Sequence, residues 1–291
     1  MSISLDVSGR IDRGTVELLR TVDRLTQQLA IPYVVIGATA RDIVLHYGYG
    51  ADVERATQDV DFAIEVPNWA AFDALKQKLA ETGFELTREQ HRLKSSSGAV
   101  VDIVPFGEVE EEKGSIAWPP KGDVVMSVLG FQEVSDNADR VRVDNEPELT
   151  VPVATPAGMA LLKLIAWFDR VREKRVKDAQ DLSYMLESYE KIPAVKDALY
   201  SEAWTPVMED YGWDLTLAAA RMLGHDAATM ARKNTRAEIL ALISDENKLE
   251  QLVAEMCTGN SAHQYEHYKR LLSAFAEGFE AFQKARNWGS H

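Results

Sequence analysis

Thr57-Gln58-Asp59-Val60-Asp61-Phe62-Ala63-Ile64 is the stretch on which the reading of this chain turns. Val60 to Val66 has the texture of a strand, and strand side chains alternate, so Asp59 and Asp61 share one face while Val60 and Phe62 point the other way, into a core. Two carboxylates side by side raise each other's pKa unless positive charge sits between them, and Mg²⁺ is the usual neutraliser for oxygen donors. An acidic pair at a strand start also occurs on exposed sheet edges, so its neighbours have to decide.

Downstream, Val100-Val101-Asp102-Ile103-Val104 sets a lone carboxylate inside an apolar strand. An unpaired charge there would cost several kcal/mol, so Asp102 is paired, protonated or at a metal. Upstream, Tyr33 to Ile36 reads as a short strand that turns through Gly37 into a helix, Thr39 to Tyr47. Backbone N–H groups and the helix dipole favour an anion at such a turn, although Gly37 also reads as a simple tight turn and Thr39 as a helix cap. Around these anchors, Val16, Leu19, Val22, Leu25 and Leu29 recur at helical spacing. Pro67-Asn68 starts a further helix with Trp69, Phe72, Leu75 and Leu79 on its buried face and Gly83 at its end. Phe84 to Leu86, Ala99 to Pro105 and Phe131 to Val134 read as strands.

From Thr155 the pattern is almost wholly helical, with Pro156 in a first turn and breaks near Ile192-Pro193, Gly212, Gly224 and Gly259. The Pro-flanked stretch Pro147 to Pro156 reads as a boundary, giving an α/β domain over residues 1–154 and a helical domain over 155–291. A length of 291 residues, 46% hydrophobic and 27% charged, suits about two domains and excludes disorder or a coiled coil. The formal charge of −14 opposes any broad grip on nucleic acid or an anionic membrane. Residues 1–154 carry 15 basic against 26 acidic residues and residues 155–291 carry 17 against 20, so any polyanion contact belongs mostly to the second half. The longest apolar candidate, Met159 to Phe168, is too short to span a membrane and is broken by Lys163. Met1 to Ile11 lacks the features of a signal peptide, and the single Cys257 forms no internal disulfide and no Cys-based metal site. The expectation is a cytoplasmic protein without membrane contact.

A strand turning through glycine into a helix, then Asp-x-Asp, then a third Asp in an apolar strand resembles the nucleotidyltransferase superfamily that shares its palm with DNA polymerase beta. Within it, the chain is most similar to the AbiEii/AbiGii toxin-type family. The residues that carry the resemblance are Gly37-Ala38, Arg55-x-Thr57-x-Asp59-x-Asp61, Asp102, Thr155-Pro156, Lys163-Leu164-x-Ala166, Arg170 and Lys177-Asp178-x-x-Asp181-Leu182. The resemblance implies an α+β fold: a palm-like mixed sheet with helices, followed by a helical C-terminal domain. It implies metal-dependent transfer of a nucleoside monophosphate from an NTP to a hydroxyl acceptor, tRNA being one candidate. It further implies the toxin half of a toxin–antitoxin or phage-defence pair, with an antitoxin protein as partner. Asp59 and Asp61 would hold Mg²⁺ or Mn²⁺, Asp102 would complete the site, and Gly37, Ala38, Thr39 and Lys163 would bind the nucleotide. Relatives usually have Gly-Ser or Gly-Gly where this chain has Gly37-Ala38, so Thr39 or backbone amides would replace the missing hydroxyl at the phosphate.

The second half supplies further candidates. Lys163, in an apolar helix, either snorkels to solvent or reaches the triphosphate. Asp178 and Asp181, at i and i+3 near Arg170 and Arg175, read equally as a salt-bridge network. Arg170, Arg172, Lys174, Arg175 and Lys177 form the densest basic cluster, either a solvated helix face or a local track for an RNA acceptor. His263-Gln264-Tyr265-Glu266-His267 fits the H-x-x-E-H pattern of a zinc peptidase, but little chain follows for a third ligand, so a polar C-terminal helix is expected. The remaining rival is a non-catalytic nucleotide- or partner-binding protein on the same fold, against which the trio Asp59, Asp61 and Asp102 speaks.

Overall fold

The computed structural model describes residues 5–52, 59–95, 98–112, 114–259 and 261–288, with the side chains of 172–174 and 283–288 left aside. The chain divides into two compact units, Met1–Thr155 and Pro156–His291.

The first unit opens with β1 (Leu5–Asp6), α1 (Arg13–Leu29), β2 (Tyr33–Ile36) and α2 (Gly37–Arg41), which continues into a π-helical stretch, Asp42–Gly48. It proceeds through β3 (Asp59–Val66), α3 (Trp69–Glu81), β4 (Glu85–Leu86), β5 (Arg92–Lys94), β6 (Val100–Gly107), β7 (Ser115–Ala117) and β8 (Val125–Ser127). It closes with α4 (Phe131–Asp136), β9 (Asp139–Asn145) and β10 (Glu148–Val153). Eight strands make one mixed sheet in the order β1-β9-β10-β2-β3-β6-β5-β4, and β7 and β8 form a separate hairpin. β3 lies centrally, antiparallel to β2 and parallel to β6. Its alternation is as the spacing predicts: Val60 and Phe62 are buried, while Asp59 and Asp61 are half-buried on the other face.

The helices follow from their caps and apolar stripes. The Asp12 carboxylate accepts the Thr15 N–H to start α1, which buries Val16, Leu19, Val22 and Leu25. The Asn68 side chain accepts the Ala71 N–H to start α3, which buries Phe72, Leu75 and Leu79, each side chain contributing roughly 1.5–3 kcal/mol by leaving water.

Three sequence expectations are corrected. Phe131 to Val134 is helix rather than strand: the chain turns at Gly130 (φ 87°), and Phe131 and Val134, three apart, are buried on one helical face. Pro147 to Pro156, where the sequence reading puts only a boundary, also carries β10, which pairs antiparallel with β9 and parallel with β2, and the two units divide just after it, between Thr155 and Pro156. The signal was present in Val141, Val143, Leu149, Val151 and Val153, which recur at every second position within each strand and are all buried.

The second unit contains α5 (Pro156–Asp169), α6 (Arg172–Ser188), a 3₁₀ turn at Tyr189–Lys191, α7 (Pro193–Leu199), α8 (Thr205–Asp210) and α9 (Leu215–Met230). It ends with α10 (Lys233–Ile243), α11 (Glu246–Met256) and α12 (Ala262–Trp288). The third correction falls here: Gly224 does not break a helix but lies inside α9. A Cβ on Gly224 would lie 2.0 Å from the Phe275 carbonyl oxygen, and one on Gly278 would lie 1.9 Å from that of Arg221. The two glycines let α9 and α12 approach closely. Among the described residues no helix is long and apolar enough to cross a membrane.

Candidate active site

Strand register assembles the acidic face. Asp61 pairs with Ile36 on β2 and with Asp102 on β6, and Asp102 pairs in turn with Arg92 on β5. Registered partners on adjacent strands project to the same side of a sheet. The row Ile36, Asp61, Asp102, Arg92 therefore crosses four strands, with Asp59 two residues before Asp61 on the same face. The three aspartates singled out in the sequence thus come together, and a fourth residue that the sequence reading passed over joins them.

Arg92 is that residue. Its Nε donates to Asp102 Oδ1 at 2.8 Å and its Nη2 to Asp102 Oδ2 at 2.6 Å, a two-pronged charge-assisted bond. The same Nη2 lies 3.8 Å from Asp59 Oδ2. Asp102 is thereby paired: its side chain is 12% exposed, against 45% for Asp59. The hydrogen bonds to Asp102 hold the guanidinium pKa above even the ordinary arginine value. The Ser-Gly-rich sequence before Ala99 is a turn signal but does not fix a register; in the structure the Ser95 N–H donates to the Ala99 carbonyl oxygen at 2.8 Å, and β5 pairs antiparallel with β6.

Gly37 adopts φ +70°, and a Cβ there would lie 2.1 Å from Asp61 Oδ2, so the missing side chain is space that the Asp61 carboxylate occupies. Ala38 and Thr39 are buried, and the Thr39 hydroxyl donates to the Asp59 carbonyl oxygen at 2.9 Å, tying α2 to the start of β3. Arg55 and Thr57 lie outside the described residues.

The second-unit candidates are tied into ion pairs. Lys163 Nζ donates to Asp178 Oδ1 at 3.0 Å and lies 2.6 Å from Asp181 Oδ2, and Arg170 Nη1 donates to both oxygens of Asp178 at 2.8 and 3.0 Å. Burial pulls the Lys163 pKa down, but Asp181 and Asp178 together outweigh it and hold it above the usual lysine range. Arg175 forks onto Glu255, which also accepts the indole N–H of Trp167 at 2.8 Å, and the Arg175 guanidinium stacks over the Trp167 ring. Of the basic cluster, Arg170 and Arg175 therefore brace helices, Lys177 is exposed, and the side chains of Arg172 and Lys174 lie outside those described. In the H-x-x-E-H segment, His263 and Glu266 are exposed, and the His267 ring faces Glu187 at 2.9 Å.

The acidic face offers hard oxygen donors of the kind that Mg²⁺ or Mn²⁺ takes, and it already draws in one cation, the Arg92 guanidinium. The residues fit a divalent ion in kind. In the present arrangement no three metal-ligating side chains, here or around His263, are gathered closely enough among the described residues to ring one.

The family described as nucleotidyl transferase AbiEii toxin of type IV toxin–antitoxin systems matches residues 20–283. This chain belongs to that family. It is a nucleotidyltransferase of the AbiEii toxin type, and the mixed sheet with helices followed by a helical unit is the fold expected of it. No curated protein matches it in sequence. Among solved structures, the AbiEii-type chain is similar to the antibiotic-resistance factor ANT(2'')-Ia, with 12% identity over 69% of this chain and 100% of that one at a TM-score of 0.34. It is also similar to a Thermotoga maritima CCA-adding enzyme complexed with tRNA (13% identity, 94% of this chain and 83% of that one, TM-score 0.26). A third likeness is to the Bradyrhizobium diazoefficiens CD-NTase CdnG in complex with GTP (16% identity, 94% and 87%, TM-score 0.28).

Proposed function

We propose that this AbiEii-family enzyme transfers a nucleoside monophosphate from an NTP to a hydroxyl of an RNA acceptor, tRNA being the candidate, in a reaction that needs Mg²⁺ or Mn²⁺. The observation that carries the reading is the registered pair Asp61 and Asp102, with Asp59 on the same face. Bound there, the divalent ion would steady the attacking and leaving oxygens at phosphorus. Asp59 and Asp61, with Asp102 completing the site, would hold the ion. The acceptor oxygen bonds to the α-phosphorus as the bond to pyrophosphate breaks, and Asp102 takes the hydroxyl proton. Gly37, Ala38 and Thr39 would present backbone to the nucleotide, while Lys163 stays in its ion pairs with Asp178 and Asp181. The acceptor would rest on Arg172, Lys174 and Lys177 of the basic run. As a toxin of this family the enzyme is expected to be held in check by an antitoxin protein, and its expected place is the cytoplasm.

The test is to incubate the protein with each labelled NTP, Mg²⁺ and either total RNA or total protein, and to find where the label goes. Label in tRNA that disappears with EDTA supports the reading; label in protein, or transfer that is indifferent to EDTA, overturns it. If RNA is held at the basic run, reversing Arg172 and Lys174 to Glu should flatten the salt dependence of acceptor binding, each lost phosphate contact removing roughly 0.7 to 0.9 from the log–log slope. NTP binding should stay unchanged.

A further inference from the structure

Arg92 makes the site more than a set of carboxylates. Its guanidinium forks onto both oxygens of Asp102 at 2.6 and 2.8 Å and reaches within 3.8 Å of Asp59, so a fixed positive charge stands at the face where a divalent cation would have to arrive. β5 holds this side chain in register with Asp102, so the pairing is built by the sheet and not by a loop. Arg92 is also one-third exposed, which leaves it room to swing outward without crossing the core.

We propose that Arg92 is a resident counter-ion, which neutralises Asp102 and Asp59 in the cation-free enzyme and is displaced from Asp102 by the incoming divalent ion. It thereby sets the cation concentration at which the site is filled. The inference rests on the reading of Asp59, Asp61 and Asp102 as the cation site, and it concerns how that site is occupied and not what it transfers. The physical reason is competition. A divalent ion must take carboxylate oxygens already bonded to the guanidinium, and it must approach a like charge. A unit positive charge about 6 Å from a divalent ion is worth about tenfold in affinity even with water-like screening.

The test is Mn²⁺ binding to the full chain without nucleotide, followed by calorimetry or by the electron-spin signal of free Mn²⁺. Wild type, Arg92→Gln, Arg92→Lys and Asp61→Asn are compared, each checked for folding by circular dichroism. Arg92→Gln should bind Mn²⁺ about tenfold more tightly than wild type, and Mg²⁺ should raise its melting temperature by more. Arg92→Lys keeps the charge but loses the fork, so it should fall between the two. It also stands in if the glutamine variant does not fold.

Equal or weaker binding in the folded Arg92 variants would overturn the proposal and make Arg92 a permanent brace for Asp102. Binding that Asp61→Asn abolishes in wild type while Arg92→Gln leaves it unchanged would remove only the counter-ion. Binding absent from wild type and from both Arg92 variants would remove the cation site along with it.

Discussion

Each unit of this protein holds aspartates met by long cationic side chains, and the two clusters differ in depth. In the second unit Asp178 and Asp181 are 1% and 5% exposed and are gripped by Lys163 and Arg170. In the first, Asp59 and Asp61 are only half-buried, and Arg92 reaches Asp102 from the neighbouring strand. Buried carboxylates cannot be left without partners, because an uncompensated charge in the interior is costly, so the deep cluster must be complete within the chain. The shallow one faces solvent and can exchange one cation for another. Ion pairing alone does not separate structure from chemistry here; accessibility does.

The largest effect should come from the shallow cluster. Asp61→Asn removes a proposed ion ligand, and the loss of charge stabilisation worth several kcal/mol at the transition state should lower nucleotide transfer about a thousandfold. Its melting temperature should stay at or slightly above the wild-type value, because one of several like charges is gone. Transfer within a few-fold of wild type would make this cluster as structural as the other.

The deep cluster should answer in the opposite currency. Lys163→Met leaves Asp181 without its ammonium and Asp178 with Arg170, so the urea transition should show a loss of about 3 kcal/mol, and activity should fall with the folded fraction. A loss below about 1 kcal/mol, the scale of a surface pair, together with abolished NTP binding would move Lys163 from the network to the nucleotide.

A smaller effect tests how the shallow cluster is held. At Gly37, with φ +70°, alanine would cost about 1–2 kcal/mol in backbone strain, and its Cβ would collide with the Asp61 carboxylate. Gly37→Ala should therefore reduce transfer more than its stability loss explains, as seen by comparing turnover per folded molecule. Proportionate losses would mean that Asp61 moves aside without consequence.

Much of this was legible in the sequence, for reasons particular to each element. The alternation around Asp59 and Asp61 gave their shared face, since a strand buried on one side has a single admissible register. Asp102 was legible as anomalous but not its partner, because Arg92 meets it across an antiparallel pairing whose register no local pattern fixes. The β9–β10 hairpin was missed although its alternation is regular, the prolines at 147 and 156 marking the stretch as a boundary. Pro147 precedes β10, and Pro152 lies near its end, past the register shift between Leu149 and Thr150. Gly224 read as a breaker because glycine weakens an isolated helix, and its purpose lies in the backbone of α12, which no local pattern reveals.

The smallest effect concerns pH and the deep cluster. Burial lowers the Lys163 pKa, but Asp181 and Asp178 more than compensate, so the folded value lies above the ordinary 10.5. As pH rises, the unfolded chain therefore loses this proton first. The stability that the protonated Lys163 contributes is complete below the unfolded value, near 10.4, and declines only as pH climbs from there through the folded value. The stability gap between wild type and Lys163→Met should accordingly be flat through about pH 9 and narrow only above about 10.5. Tyr33 and Tyr211, whose pKa values burial raises, are present in both proteins and cancel in the difference. The corresponding gap for Asp61→Asn should show no such narrowing, because Arg92 keeps its charge throughout that range. If the Lys163 gap instead closed between about pH 8 and 9, the ammonium would have the depressed pKa of a buried lysine without its carboxylates, and the deep cluster would lose its claim to be complete within the chain.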